Sequence, residues 1–288
     1  MLQLHSYFEG HGGAITSLTK GNNEQLFYSA GSEGLIVQWN LTKPNEGDVL
    51  IKLRGLISAI KYEHTSNTLY AAVNHKGLFV IDIETRKILK TVDIPATSFG
   101  KMELTNKFIM LSTHIGELLI IDRETDAIKE RIASGLKEPP AFIVENDNVW
   151  YSTDQGINWF EIISKVKATI NLVEKPSAIK LLGARLLFTL SNGLYVWNLA
   201  KRKVEIVGEW EESLEINRIC INPTKSNVII LGKSGVLVKY KIEKKKITKL
   251  DSVQIEHNGR INDILWIENH KFVITAGINK KIGIWQVN

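Results

Sequence analysis

The amino-acid sequence predicts an all-β protein made of seven similar units, each with four short antiparallel strands. One observation is that the two ends of the chain are copies of each other, because residues 11–39 align without a gap with residues 257–285. Another is a short motif, two apolar residues flanking a small and a variable one, which recurs every 36 to 45 residues. Strand patterns fill each interval and helix signals are absent. A repeat of this length predicts units that stack and share a core.

The recurring motif opens the first strand of each unit. Its seven instances begin at Ile15, Ile57, Phe99, Pro140, Pro176, Ile216 and Ile261. The second residue of the motif is always small, namely Thr16, Ser58, Gly100, Ala141, Ser177, Asn217 and Asn262. Apolar residues three positions apart interrupt the period of two that a regular strand shows. The motif therefore predicts a β-bulge near each strand start.

Each unit continues through three further strands. A second strand is followed by a turn that usually contains glycine, and a third strand ends at a bulky pair such as Trp39-Asn40 or Trp197-Asn198. A polar turn then leads to a fourth, more polar strand, which we predict at residues 49–54, 88–94 and 203–209 in three of the units. Short strands joined by tight turns in this way are typical of all-β architectures.

Composition limits the class of protein. The chain has 288 residues, of which 44% are hydrophobic and 23% are charged, as in ordinary globular proteins. A single cysteine, Cys220, excludes a disulfide within the chain. The N-terminus lacks a signal-peptide pattern and no window approaches 18 apolar residues, so we expect a cytoplasmic protein without a membrane partner. The net charge of +5 is mild and does not favour a dedicated nucleic-acid surface.

Motifs at the ends of the chain resemble a known repeat family. Gly10-His11 and Trp39-Asn40 bracket the first copy, and His257 and Trp285 repeat the pattern in the last. These motifs, in four-stranded units of about 40 residues, resemble the WD40 β-propeller repeat, and the middle copies resemble it more weakly. The resemblance implies a seven-bladed β-propeller of four-stranded antiparallel blades, one domain over residues 1–288. It also implies that the N-terminal strand completes the last blade, which would otherwise have an unpaired edge.

The resemblance further implies a structural hydrogen-bond network in the two end blades. Its members are His11, Ser29 and Trp39 in the first blade, and His257, Thr275 and Trp285 in the last. In each network the histidine bonds a hydroxyl group that accepts a hydrogen bond from the indole N–H, because a buried tryptophan needs an acceptor. We therefore assign these histidines to the fold rather than to catalysis or metal binding.

No pattern in the sequence predicts a catalytic, metal or cofactor site. Gly232-Lys233-Ser234 mimics the end of a phosphate loop but has no helix after it. If the small residues of the motif line a central channel, their neighbours Lys101, Arg218 and Asp263 do not form an acid–base pair. We therefore predict that the protein is not an enzyme. Two alternatives stay open: an enzyme or small-ligand binder working at the channel, and RNA or polyanion binding through a basic face.

The loop at residues 209–215 is the strongest candidate for a binding surface. Its tryptophan lies among glutamates, and an aromatic anchor with charges around it is typical of protein interfaces. We predict a patch for a basic segment of a protein or peptide partner, formed by Trp210, Glu211, Glu212, Glu215, Phe99, Arg218 and Arg260. The alternative is that Trp210 packs back onto a neighbouring blade. The sequence thus predicts a non-catalytic protein-interaction scaffold in an intracellular assembly.

Overall fold

A computed structural model describes residues 1–44, 46–94, 97–210, 216–222, 227–255, 260–267 and 271–288. Over these ranges the chain forms seven four-stranded antiparallel sheets and no helix, so the predicted all-β architecture is confirmed. It follows that the described ranges contain no helix able to cross a membrane. Each sheet is one blade of a seven-bladed β-propeller, as the repeat period predicts.

The strands follow the repeat closely along the chain. Strand β1 (Leu2–Glu9) opens the chain; blade 1 contains β2 (Ile15–Lys20), β3 (Leu26–Gly31), β4 (Leu35–Asn40) and β5 (Asp48–Lys52); blade 2 contains β6 (Ile57–Glu63), β7 (Thr68–Val73), β8 (Gly77–Asp82) and β9 (Ile88–Val92); blade 3 contains β10 (Phe99–Leu104), β11 (Phe108–Thr113), β12 (Glu117–Asp122) and β13 (Ile128–Ala133); blade 4 contains β14 (Phe142–Glu145), β15 (Asn148–Thr153), β16 (Gly156–Glu161) and β17 (Lys167–Asn171). Blade 5 contains β18 (Ala178–Leu182), β19 (Arg185–Leu190), β20 (Gly193–Asn198) and β21 (Lys203–Glu209); blade 6 contains β22 (Ile216–Asn222), β23 (Asn227–Gly232), β24 (Val236–Ile242) and β25 (Ile247–Gln254); blade 7 contains β26 (Ile261–Ile267), β27 (Phe272–Gly277) and β28 (Lys281–Val287).

The N-terminal strand completes the last blade. Strand β1 pairs antiparallel with β28, and the register runs from Leu2 opposite Val287 to Glu9 opposite Lys281. Blade 7 therefore has the order β1-β28-β27-β26, so its outer strand comes from the other end of the chain. This pairing confirms the predicted closure and joins the two chain ends in one sheet.

The hydrophobic core lies between the blades. In the described part of the chain it divides into seven clusters, and each cluster combines residues from two successive blades. One of them joins blades 7 and 1 through Phe8, Trp39 and Ile284. The first strands of the blades also contact one another in a closed cycle from β2 through β26 and back to β2. A single blade therefore cannot bury its two faces without both neighbours.

The predicted bulge is present in five of the seven blades described. The register between first and second strands shifts close to the motif in blades 1, 2, 3, 6 and 7. The prediction is wrong for blades 4 and 5, where the motif begins with Pro140 and Pro176 and the register is regular. Proline has no N–H to donate to a ladder. The paired strand therefore begins two residues later, at Phe142 or Ala178, and has no room for the bulge.

Strand direction separates the loops into two faces. Because the four strands of a blade alternate in direction, loops that join second to third strands lie on the same face as loops between blades. We call this the upper face; its described loops are residues 10–14, 32–34, 53–56, 74–76, 93–94, 97–98, 114–116, 134–141, 154–155, 172–177, 191–192, 210, 233–235, 255, 260 and 278–280. The lower face carries the loops that join first to second and third to fourth strands.

Candidate functional site

The first end blade contains a hydrogen-bonded chain of side chains. The Trp39 indole Nε1 donates to Ser29 Oγ at 2.7 Å, and His11 Nε2 lies 2.6 Å from the same oxygen. His11 Nδ1 lies 2.5 Å from Glu33 Oε1. The His11 side chain is fully buried. Both ring nitrogens of His11 therefore have hydrogen-bond partners. Through them His11 links Ser29 of β3, Trp39 of β4 and the loop that contains Glu33.

The last end blade repeats part of this arrangement. The Trp285 indole Nε1 donates to Thr275 Oγ1 at 2.9 Å, and both side chains are buried. The third member that we predict, His257, lies outside the described residues. The equivalence of Ser29 and Thr275 shows that a hydroxyl at this position serves as the tryptophan acceptor in both blades.

Three of the small residues of the motif, Thr16, Asn217 and Asn262, connect neighbouring blades through their side chains. Thr16 Oγ1 donates to the Ile57 carbonyl oxygen at 2.5 Å, from blade 1 to blade 2. Asn262 Nδ2 donates to the Ile15 carbonyl oxygen at 2.8 Å, from blade 7 to blade 1. Asn217 bonds the first strand of blade 7 in the same way. These three side chains therefore help to hold the first strands of the ring together.

A cluster of charged side chains lines the channel inside the ring of first strands. Glu103 Oε2 lies 2.6 Å from Lys61 Nζ, and Glu103 Oε1 lies 2.7 Å from Lys101 Nζ. Lys101 also donates to the Phe142 carbonyl oxygen at 2.8 Å. One carboxylate thus bridges two lysines of adjacent blades, and one of these lysines reaches a third blade.

Burial and crowding set the ionisation of this cluster. Burial, with help from the neighbouring Lys180 and Lys61, lowers the pKa of Lys101 to about 7, although Glu103 opposes the change. Burial alone would raise the pKa of Glu103, but Lys101, Lys61 and Lys180 outweigh it and hold that pKa well below its usual range. Glu103 is therefore ionised at neutral pH, whereas Lys101 is poised to lose its proton.

Two further charged residues of the channel have backbone partners. Asp263 accepts hydrogen bonds from the backbone N–H of Leu18 at 2.8 Å and of Ile264 at 2.9 Å. Arg218 Nη1 donates to the Asn217 carbonyl oxygen at 3.0 Å. Asp263 therefore links blade 7 to blade 1.

A cavity of about 350 Å³ opens into the channel among the first strands of blades 1, 4, 5, 6 and 7. Its polar lining includes Lys20, Glu145, Lys180 and Cys220. Burial raises the pKa of the Cys220 thiol to about 12, so this cysteine stays protonated and is a poor nucleophile. Across the described ranges, no three His, Cys, Asp or Glu side chains are grouped so that they could hold a metal ion.

The residues of the predicted partner patch have different environments. The Trp210 indole Nε1 donates to the Leu190 carbonyl oxygen at 3.3 Å, and its ring lies 5.5 Å from the Tyr240 ring of blade 6. Trp210 thus packs onto a neighbouring blade, which is the alternative to an exposed binding anchor that the sequence left open. Phe99 is only 1% exposed and adds no side-chain surface to a patch, because it lies in the core between blades 2 and 3. Arg218 and Arg260 are exposed, and Glu211, Glu212 and Glu215 lie outside the described residues.

Sequence reasoning missed three charged residues of the channel. Lys61, Glu103 and Lys180 occupy the fifth position of their motifs, two residues beyond the position that holds Lys101, Arg218 and Asp263. Because alternate residues of a strand face the same side, the fifth position faces the channel if the third does. This spacing was the signal that could have found them.

Comparison with known proteins places the chain among β-propellers. The family model for the WD domain, G-beta repeat, matches residues 2–40 and 248–286. A "66 kDa stress protein" of Physarum polycephalum is 20% identical over 296 residues, which cover 97% of this chain and 47% of the relative. The chain thus spans about half the length of the curated relative it matches.

A solved structure agrees with the fold over nearly the whole chain. A chain in a crystal structure of the mitotic checkpoint complex superposes with a TM-score of 0.84, at 12% identity, over 99% of this chain and 91% of that chain. At this identity the likeness shows the fold alone. Together with the family match at both ends, it leads to one conclusion. The chain is a seven-bladed β-propeller whose two end segments, residues 2–40 and 248–286, match the WD domain, G-beta repeat.

Proposed function

We propose that this propeller is a non-catalytic scaffold that binds a protein partner across its upper face. The observation that carries the proposal is a set of exposed aliphatic side chains in loops of that face. They are Leu56 (39% exposed), Ile115 (67%), Val173 (97%) and Ile278 (47%). Single exposed apolar residues are common on soluble proteins. Four of them on one face, in loops of different blades, fit the apolar contacts of an interface.

Backbone hydrogen bonds fix the turns that carry three of these side chains, Leu56, Ile115 and Ile278. Ile278 N donates to the Arg260 carbonyl oxygen at 3.0 Å, and the Leu56 carbonyl oxygen accepts from Asn74 N at 2.9 Å. The turn that carries Ile115 is fixed on both sides by backbone bonds of His114 and Gly116. A turn that is already fixed loses little conformational freedom on binding, which favours these positions as contacts for a partner.

The Val173 loop shows the same preorganisation through a side chain. Glu174 Oε1 accepts hydrogen bonds from Ser191 N at 2.6 Å and from Ser191 Oγ at 2.7 Å. These bonds tie the loop between blades 4 and 5 to a turn of blade 5. Val173 is nevertheless almost fully exposed next to this anchor. We propose Val173 as the central apolar contact of the interface.

The acidic loop extends the proposed surface in one sector. Trp210 buries part of its ring against blade 6 and is followed by Glu211, Glu212 and Glu215 in sequence. We propose that these carboxylates steer a basic segment of the partner towards the upper face, while the aliphatic residues supply the contact.

The single cysteine supports an intracellular setting, because disulfides are frequent in small exported domains.

Paired variants of matched chemistry test this proposal. The upper-face variant combines Ile115→Asp with Val173→Asp, and the lower-face variant combines Ile163→Asp with Val166→Asp, whose side chains are 58% and 50% exposed. Each variant places two charges at exposed aliphatic positions, so circular dichroism and melting should stay unchanged in both. Capture from the native cell, quantified by mass spectrometry, should lose its main partner only with the upper-face variant. Equal capture by the two variants would contradict the proposal.

A further inference from the structure

The channel holds more positive than negative charge. Its charged side chains, within the part of the chain that the structure describes, are Lys61, Lys101, Lys180, Arg218, Glu103 and Asp263. With Lys20 and Glu145 of the adjoining cavity, five basic side chains thus face three carboxylates. Like charges repel strongly where solvent is limited, so a cluster of this composition attracts an anion.

Neither carboxylate makes an ion pair with Lys180, and the charge of Asp263 acts on Arg218 and Lys61. Glu103 is shared between Lys61 and Lys101, and Asp263 accepts two backbone N–H groups. Lys180 has no hydrogen-bond or ion-pair partner among the described residues. Its charge nevertheless acts on both Lys101 and Glu103, so its ammonium group lies within electrostatic range of the cluster.

Lys180 also lines a space that a ligand could occupy. The cavity of about 350 Å³ has Lys180 and Lys20 in its wall, together with Glu145 and the apolar side chains of Ile143 and Leu181. Small-molecule sites in proteins have volumes of about 300–1,000 Å³. This cavity therefore falls at the small end of that range, with two cations and one exposed carboxylate around it.

We propose that the central channel binds a small oxyanion of the phosphate class at Lys180, with Lys20 in the wall of the same cavity and Lys101 within electrostatic range. The ammonium of Lys180 donates to the oxyanion, and the other two lysines add attraction without a required contact. This site is separate from the upper face, so it goes beyond the scaffold function proposed above. A bound phosphate would give Lys180 the ion-pair partner that it lacks among the residues described.

Titration of the full chain with inorganic phosphate tests the site. Isothermal calorimetry at constant ionic strength, with chloride as the balancing ion, should show saturable binding with a Kd of about 1 mM or tighter. Lys180→Gln should weaken binding by about tenfold or more, because it removes a hydrogen bond from a charged donor. Lys180→Arg should retain most of the affinity. Lys52→Gln, at an exposed site on the outer strand β5, removes the same charge and should bind as the wild type does.

A second readout separates a site from a general salt effect. Phosphate at Lys180 stabilises the charged form of nearby amines, so it should raise the pKa of Lys101 above its value of about 7. Carbon-13 chemical shifts of the lysine ε-carbons report this pKa with and without phosphate. The proposal is overturned if chloride and phosphate give the same heats, or if Lys180→Gln and Lys52→Gln bind phosphate equally well.

Discussion

Replacing Phe8 by alanine should weaken the packing between blade 7 and blade 1 and so lower the free energy of unfolding. Phe8 lies on the closing strand β1 and is 1% exposed. Its ring centre lies 5.7 Å from that of Trp39 and 6.1 Å from that of Phe27, both in blade 1. A buried aromatic side chain covers about 150–250 Å². At about 25 cal/mol per Å² the whole residue contributes about 4–6 kcal/mol, and truncation to alanine should cost about 3–5 kcal/mol.

Chemical denaturation followed by circular dichroism measures this cost. The matched control is Leu4→Ala on the same strand, where the side chain is 37% exposed and the loss should be about 1 kcal/mol or less. The denaturation midpoint should therefore fall much further for Phe8→Ala than for Leu4→Ala. If the denaturation midpoints of Phe8→Ala and Leu4→Ala differ by less than the equivalent of about 0.5 kcal/mol, the packing of β1 against blade 1 does not stabilise the closed ring.

Further predictions concern the end-blade network and the channel. Trp285→Ala should lower the free energy of unfolding by about 3–5 kcal/mol, because it removes a buried aromatic and leaves Thr275 without its donor; a denaturation midpoint near that of the wild type would show that the residue is not in the core. His11→Ala should cost about 1–3 kcal/mol in the same assay, because Ser29 loses a buried partner; no loss would place the histidine outside the network. Burial lowers the pKa of folded Lys101 to about 7, so the unfolded chain binds that proton more tightly. The wild type should therefore gain stability relative to Lys101→Met as pH rises from about 7 towards 10.5, and a constant difference across this range would refute the lowered pKa.

The fold could be predicted because local and long-range signals in the chain agree. Ile15 and Ile261 open equivalent strands, and Trp39 and Trp285 close equivalent strands with the same indole hydrogen bond. The predicted fourth strand at 203–209 matches β21 residue for residue. The bulge prediction failed at Pro140, because it used only the spacing of apolar residues. It ignored the missing backbone donor of proline.

The candidate sites were harder to predict because they depend on neighbours that are distant in sequence. Glu103 looks like an ordinary strand residue, yet Lys61 from another blade reaches it at 2.6 Å. Trp210 has the sequence environment of an exposed anchor, but the Tyr240 ring is close enough to cover it. Val173 has no distinctive sequence context; its exposure and the hydrogen bond of Glu174 that fixes its loop are seen only in the structure. In all three cases the environment of the residue depends on contacts with residues that are distant in sequence.

Hydrogen exchange of the propeller, alone and bound to the protein it captures, tests the central claim most directly. The claim is that the partner covers the upper face. Binding should slow exchange of backbone amides in the upper loops at residues 53–56, 114–116, 172–177 and 278–280. The lower loops at residues 162–166 and 199–202 should exchange at the same rate in both states. Protection confined to those lower loops or to the outer strands would contradict the proposed function.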